Sequence, residues 1–291
     1  MPKEISTIRR GIAWGDISLA VLDTTALVNE AIRRHHLSPV AAAALGRTFT
    51  AAAYLCSWLK SEESTLSVTV AGGGPGGKIS VSGDGALRMR GFIEHPDVIL
   101  PPRADGKLDV GGCVGKNGTL TVVRDDGEKF PFVGTSPLVS GEIAEDFSSY
   151  FFYSEQRPTA IALGVRIGKE GTCLGAGGVF LQPFPGAEEE HIIRAEQTIG
   201  QYSAVSRLIE EEGADAVFAR FEAKSESERP ILFRCSCSRE RAARAIFSLG
   251  KEEAERIVSE EGEIRVHCHE CNTDYPFGEE DIRRLFGGEG T

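Results

Sequence analysis

Two pairs of cysteines carry the clearest chemistry in this sequence. Cys235-Ser236-Cys237 comes first, and Cys268-His269-Glu270-Cys271 follows after thirty intervening residues. Each pair offers two thiols from one tight turn. Zinc takes four such ligands as a tetrahedron, with Zn–S near ~2.3 Å. Four thiolates around one Zn²⁺ leave a formal charge of −2, which Arg234, Arg239 and His267 could temper. His267 and His269 flank Cys268, but four thiols already fill a tetrahedron, so the histidines are read as not binding the metal. Iron also accepts four thiolates, and the spacing alone leaves zinc and iron both open. A catalytic zinc keeps a position free for water, whereas a four-thiolate shell is closed. The site therefore points to a structural or redox-switch role and away from hydrolysis.

The other three cysteines stand apart. Cys56 falls in an alanine-rich helical pattern, while Cys113 and Cys173 lie among glycines and strand residues. These are read as buried core thiols. Seven cysteines with two close pairs fit a reducing compartment, where clustered thiols signal metal or redox chemistry before structural disulfides.

Composition limits the function classes. The chain has 291 residues, which predicts about two domains, and 41% of them are apolar, enough to bury a core. No apolar run approaches the ~20 residues needed to cross a bilayer. Residues 1–15 have basic residues but no continuous apolar stretch of a secretory signal, so a cytoplasmic location is expected. The net charge of −11 runs against a protein that tracks phosphates. Gly72-Gly73-Gly74-Pro75-Gly76-Gly77-Lys78 nearly spells a P-loop, but Ile79 replaces the required Ser or Thr, and a strand pattern follows. It is read as a glycine-rich turn. Ser154-Glu155-Gln156 is read as a polar helix end before Arg157-Pro158, no Gly-x-Ser-x-Gly element occurs, and His95 has no suggestive partner.

The elements around these motifs read as α+β, with helices packed on largely antiparallel sheets. Helical spacing covers residues 23–34 and 39–59. Strand alternation follows at 65–70, 78–82, 87–93 and 120–123, with turns at Gly83-Asp84-Gly85 and Asp125-Asp126-Gly127. Ser140 is the expected N-cap of a helix running through Phe151, and strands close the region at 161–165 and 178–182. Three parts are expected: a core at 1–185, an acidic helical linker at 186–230 and a small metal-binding tail at 231–291. The linker has narrow apolar stripes between Glu188-Glu189-Glu190 and Glu210-Glu211-Glu212, so its helices need a neighbour to cover them. Residues 224–230 are read as its polar boundary. In the tail, Ser238 caps a helix to Leu249, another covers 251–258, a hairpin holds Ile264, Val266, Tyr275 and Phe277, and a last helix covers 279–286.

A tail of about sixty residues has a marginal core. Metal binding supplies on the order of 10–16 kcal/mol of apparent folding energy, against a typical domain stability of ~5–15 kcal/mol. The tail is expected to fold with metal and unfold without it.

The whole pattern resembles a known family. Cys-x-Cys, a gap of about thirty and Cys-x-x-Cys followed by Asn272, Tyr275 and Phe277 resembles the switch domain of the redox-regulated heat-shock protein 33 chaperonins. The run Ser140-Gly141-Glu142-Ile143-Ala144-Glu145-Asp146, then Tyr150-Phe151 and Ser154-Glu155-Gln156-Arg157-Pro158, is similar to that family's central helix signature. Gly74-Pro75, Arg90-Gly91-Phe92 and Ala176-Gly177-Gly178 fall where the family has similar residues, so the likeness covers nearly the whole chain.

The resemblance implies an ATP-independent holdase, not an enzyme, that is off when reduced and zinc-bound. It implies that oxidation pairs Cys235 with Cys237 and Cys268 with Cys271, expels zinc and unfolds tail and linker. It further implies that active homodimers hold unfolding client proteins. Such short-loop disulfides contribute roughly 2 kcal/mol each and do not tie the two pairs together, so the tail should open. Two other classes remain: a zinc-ribbon nucleic-acid-binding regulator, and an enzyme with a structural zinc tail. The first wants a basic patch near the metal, yet the tail carries Glu252, Glu253, Glu255, Glu260, Glu261 and Glu263. The second lacks any acid, base or nucleophile constellation.

Overall fold

The computed structural model describes residues 5–287. The chain forms two compact units, Met1–Arg234 and Cys235–Thr291. The first is built on one ten-stranded sheet with the order β7-β6-β3-β4-β5-β10-β1-β2-β9-β8. In chain order its elements begin with β1 (Ser6–Ala13), β2 (Ile17–Asp23), α1 (Thr25–His35), α2 (Pro39–Cys56) and β3 (Thr65–Ala71). They continue with β4 (Ile79–Asp84), β5 (Arg88–Ile93), α3 (Val110–Val114), β6 (Thr119–Asp125), β7 (Phe132–Pro137) and α4 (Ala144–Tyr153). The last are β8 (Ala160–Ile167), β9 (Cys173–Pro183), α5 (Glu189–Ile199), α6 (Val205–Glu212), α7 (Ala214–Ala219) and β10 (Lys224–Phe233). Neighbouring strands are antiparallel, except that β5 and β10 run parallel through Arg88↔Leu232 and Met89↔Phe233. This is the α+β architecture that the element pattern implied.

The helix α2 is the centre of the core. Every residue from Val40 to Cys56 except Arg47 is buried. Alanines at 41–44 and 51–53 give high helix propensity with little bulk, so sheet strands approach closely. Pro39 starts the helix and the Ser38 hydroxyl accepts the Ala41 N–H at 3.3 Å. Thr48 and Thr50 are buried because their hydroxyls donate to the carbonyls of Ala44 and Gly46 at 2.9 Å. Tyr54 stacks on Phe180 of β9 with ring centroids 4.0 Å apart.

The sheet is covered on both faces where β1, β2, β9 and β8 lie. Ala20, Leu22 and Phe180 point into the core of α1 and α2. Leu19, Val21, Val179 and Leu181 alternate to the other face, where α5, α6 and α7 cover them with Ala195, Val205, Ile209, Val217 and Phe218. Residues 186–230 thus lie within the first unit, as a lid of short helices ending in a strand.

Two local expectations change, and one hairpin appears that the sequence pattern does not show. Residues 224–230 are not a loop boundary but most of β10, whose Arg229 and Glu228 pair with Ile8 and Arg9 of β1. Its Ser and Glu residues are exposed, and a partner strand more than two hundred residues away satisfies its backbone. The hairpin of β1 and β2 has no clean alternation in sequence, because β2 is buried on both faces and β1 carries Arg9 and Arg10. Finally, α4 starts at Ala144 and Ser140 is not its cap. The fully buried Asp146 carboxylate instead reaches back to accept the N–H groups of Val139, Ser140, Gly141 and Ile143 at 2.7, 3.0, 3.2 and 2.9 Å.

That one carboxylate satisfies a whole turn. Asp146→Ala leaves these donors without a partner, at 1–3 kcal/mol for each that water cannot reach. A destabilisation of about 3–5 kcal/mol is expected for the first unit, measured as a shift of its urea midpoint at constant slope. A loss under about 1 kcal/mol would mean that the turn finds other partners.

The second unit holds α8 (Arg239–Phe247), α9 (Lys251–Glu261), a hairpin of β11 (Ile264–Cys268) and β12 (Thr273–Phe277), and α10 (Glu279–Phe286). Its core is seven buried residues, among them Ile246, Val258, Ile264, Phe277 and Ile282. Among the described residues no helix is long and apolar enough to cross a membrane.

Candidate metal centre

Two turns of the second unit bring the thiols together. Cys235 and Cys237 lie in the segment entering α8, whose N-cap Ser238 accepts the Arg241 N–H at 3.3 Å. Arg241 in turn donates to the carbonyl and hydroxyl of Ser236 at 3.1 and 2.9 Å, which pins the first pair. Cys268 ends β11, and Cys271 sits in the turn to β12. That turn closes through Asn272, whose φ of 54° is the left-handed conformation asparagine tolerates.

The four sulfur atoms lie within 4.8 Å of one another. Cys235 Sγ is 3.8 Å from Cys268 Sγ, and Cys237 Sγ is 3.3 Å from Cys271 Sγ. A tetrahedron with Zn–S bonds of ~2.3 Å has edges of about 3.8 Å. The donor set therefore fits one tetrahedral, thiophilic cation. The group contains no histidine: His267 turns its Nδ1 to Asp274 Oδ1 at 2.7 Å, and the His269 ring packs 4.8 Å from that of His267.

Hydrogen bonds tune the sulfurs. The Tyr275 hydroxyl donates to Cys237 Sγ at 3.1 Å, and the Thr273 hydroxyl lies 3.3 Å from Cys271 Sγ. Neither hydroxyl was singled out from sequence as touching sulfur, although Tyr275 was read as a hairpin residue. Burial pushes the Cys237 thiol up, but Tyr275 and the neighbouring thiols outweigh it and hold Cys237 below the usual thiol range. Burial instead raises Cys235, and raises Cys268 to about 11.

The remaining sequence candidates take structural places. Cys56, Cys113 and Cys173 are buried in the first unit, and burial pushes Cys113 up to about 11 and Cys173 up to about 12, which makes them poor nucleophiles. In the glycine-rich run, the N–H groups of Gly74 and Gly76 donate to Val114 and Cys113 carbonyls at 2.9 Å, and Lys78 N–H donates to Glu94. Those donors are engaged within the protein, and β4 follows rather than a helix, so no phosphate cradle forms. Glu155 accepts the Tyr150 hydroxyl at 2.8 Å, and the Ser154 hydroxyl donates to the Thr135 carbonyl at 3.3 Å, which ties the end of α4 to β7.

Comparison with known proteins agrees over nearly the whole chain. The family model described as "Hsp33 protein" matches residues 6–278. The 33 kDa chaperonin of Bacillus licheniformis is 41% identical over 282 residues, covering 95% of this chain and 97% of that protein. That of Acetivibrio thermocellus is 42% identical over 283 residues, covering 96% and 95%. The crystal structure of the 33 kDa chaperonin (heat shock protein 33 homolog) from Thermotoga maritima superimposes with a TM-score of 0.88 at 35% identity, covering 97% of this chain and 98% of that one. With a family model matched over residues 6–278 and a solved structure sharing the fold, the chain belongs to the Hsp33 family of chaperonins.

Proposed function

We propose that this protein is a redox-regulated, ATP-independent holdase of the cytoplasm, with zinc on Cys235, Cys237, Cys268 and Cys271 in its inactive state. The carrying observation is that four mutually close sulfurs sit in a unit whose apolar core, among the described residues, has seven buried members. The functional parts are a chaperone core at 1–185, a linker at 186–230 and a redox switch at 231–291. Zinc supplies a cross-link between residues more than thirty positions apart in sequence. Oxidation removes that cross-link.

The electron count is simple. Each thiolate pair, Cys235–Cys237 and Cys268–Cys271, gives two electrons to one peroxide and forms one S–S bond. The peroxide O–O bond breaks, and with two protons it leaves as two waters. Two pairs consume two peroxides, and the oxidised sulfurs no longer bind a cation. All four sulfurs lie within 4.8 Å of one another, so each within-pair bond forms between thiols that are already close.

Covalent continuity carries the change onward. Cys235 follows β10 with only Arg234 between them, and β10 begins within the linker at Lys224. Release of the linker uncovers the sheet face of Leu19, Val21, Val179 and Leu181, an apolar surface for unfolding clients. The active form is a homodimer of such chains.

The test is light scattering from a heat-unfolding client without ATP. Reduced, zinc-loaded protein should leave aggregation unchanged, and peroxide-treated protein at raised temperature should suppress it. Equal failure of both would reject the holdase reading and leave the metal as a staple.

A further inference from the structure

The helix α5 is held weakly by its own packing. Of its eleven residues only Ala195 is buried, and its N-cap Glu188 makes no side-chain cap bond. The cap comes from elsewhere, from the turn between β1 and β2. Asp16 Oδ2 accepts the Glu188 N–H at 2.8 Å, and Asp16 Oδ1 bonds His191 Nδ1 at 2.8 Å. The Asp16 carbonyl also accepts the Phe184 N–H at 2.9 Å. A carboxylate placed there satisfies an orphan donor and faces the positive end of the helix.

The residue two before it completes the grip. The Trp14 ring lies 4.4 Å from the Arg194 guanidinium of α5 and 6.3 Å from the Phe221 ring, just beyond α7. Trp14 has φ 54°, a left-handed conformation that a bulky side chain adopts only when its surroundings impose it. Its indole N–H is buried without a hydrogen-bond partner in the protein. Both features are unfavourable locally, and both persist in the docked state, where Arg194 and Phe221 hold the ring.

We infer that the Trp14–Gly15–Asp16 turn is a strained latch on the linker, setting how readily α5 leaves the sheet independently of the four cysteines. Docked, the turn supplies a cap, a histidine partner and an aromatic seat. Undocked, it is free to relax. The latch is thus bistable, and it regulates the linker release proposed above, on which its chaperone meaning rests.

The experiment uses the full-length, reduced, metal-loaded protein and reads amide exchange peptide by peptide. Asp16→Ala removes both side-chain bonds, and His191→Ala removes one while leaving the turn untouched. Exchange across 188–199 should rise about tenfold in the first variant and about threefold in the second, from loss of roughly one hydrogen-bonded contact each step. Exchange in α2 and metal content should stay at wild-type values. Unchanged α5 exchange in both variants overturns the latch. If Asp16→Ala loosens the whole first unit, His191→Ala decides: a rise confined to α5 supports the latch, and none overturns it. A freed α5 without any gain in client protection supports the latch and counts against the holdase surface instead.

Discussion

Removing the metal from the reduced protein should unfold residues 235–287 and leave the ten-stranded sheet standing. Among the described residues the apolar core of the second unit has seven buried members: Ile246, Val258, Ile264, Phe277, Ile282 and two alanines. Fully burying such a side chain contributes ~1.5–3 kcal/mol, so the five together give about 8–15 kcal/mol before ordering entropy is subtracted. Ordering the chain opposes that gain at every residue. Hairpin and helix hydrogen bonds narrow the gap, but a unit this small needs a further staple. Four thiolates on one cation supply on the order of 10–16 kcal/mol. Chelation, or Cys271→Ser, should therefore abolish the helical signal of α8, α9 and α10. Amide exchange should show loss of protection in α9 while α2 remains protected. Native protection of α9 in reduced, metal-free protein would show that the core suffices and would remove the basis of the switch.

The centre was legible in sequence because its determinants are local. Cys-x-Cys and Cys-x-x-Cys each specify a turn, Ser238 announces the helix that follows the first, and alternating Ile264, Val266, Tyr275 and Phe277 announce the hairpin that carries the second. The preference of a thiophilic cation for four ligands then gives the two turns a reason to meet. The polar tuning of the sulfurs was less visible, since Tyr275 reaches Cys237 across thirty-eight positions.

The large sheet was legible in part. Strands whose partners are near in sequence, such as β3 with β4, alternate plainly because one face is buried and the other is not. The strands β1 and β10 lie about two hundred and twenty residues apart, and their match rests on pairs such as Arg9 with Glu228, 2.6 Å apart. No local pattern encodes such a pairing. The start of α4 was misplaced for a related reason. Ser140 has the right type for a cap, but the structure uses a carboxylate inside the helix to organise the turn ahead of it. Which sheet face the linker covers was likewise invisible until β2 and β9 were seen side by side.

Placing a side chain beneath α6 should switch the protein on without touching a cysteine. Gly175 of β9 and Gly164 of β8 lie directly under this helix. A Cβ added at Gly175 would stand 2.2 Å from the Ser206 carbonyl oxygen and 3.0 Å from Glu210 Cβ. One at Gly164 would stand 2.8 Å from the Ser206 N and 3.0 Å from its Cβ. The obstacles are helix backbone, which cannot rotate aside as a side-chain tip can. Neither glycine is in the left-handed region, so a β-branched residue suits the strand itself and the whole conflict falls on α6. The helix α6 buries Val205 and Ile209, worth about 3–6 kcal/mol together, and a 2.2 Å approach forces that contact open. Gly175→Val should therefore lift α6 from β8 and β9 in the reduced, metal-loaded protein. Client aggregation should then be suppressed without oxidant, to at least about half the extent reached by the oxidised wild type, because part of the lid remains. Gly200→Ala, at a position with nothing within 4 Å, is the matched control and should behave as wild type. Amide exchange separates the two ways of failing. If α6 stays protected, the sheet has absorbed the side chain. If α6 opens and clients still aggregate, the face of Leu19, Val21, Val179 and Leu181 is not where they bind, and the holding surface must be sought on the released linker itself.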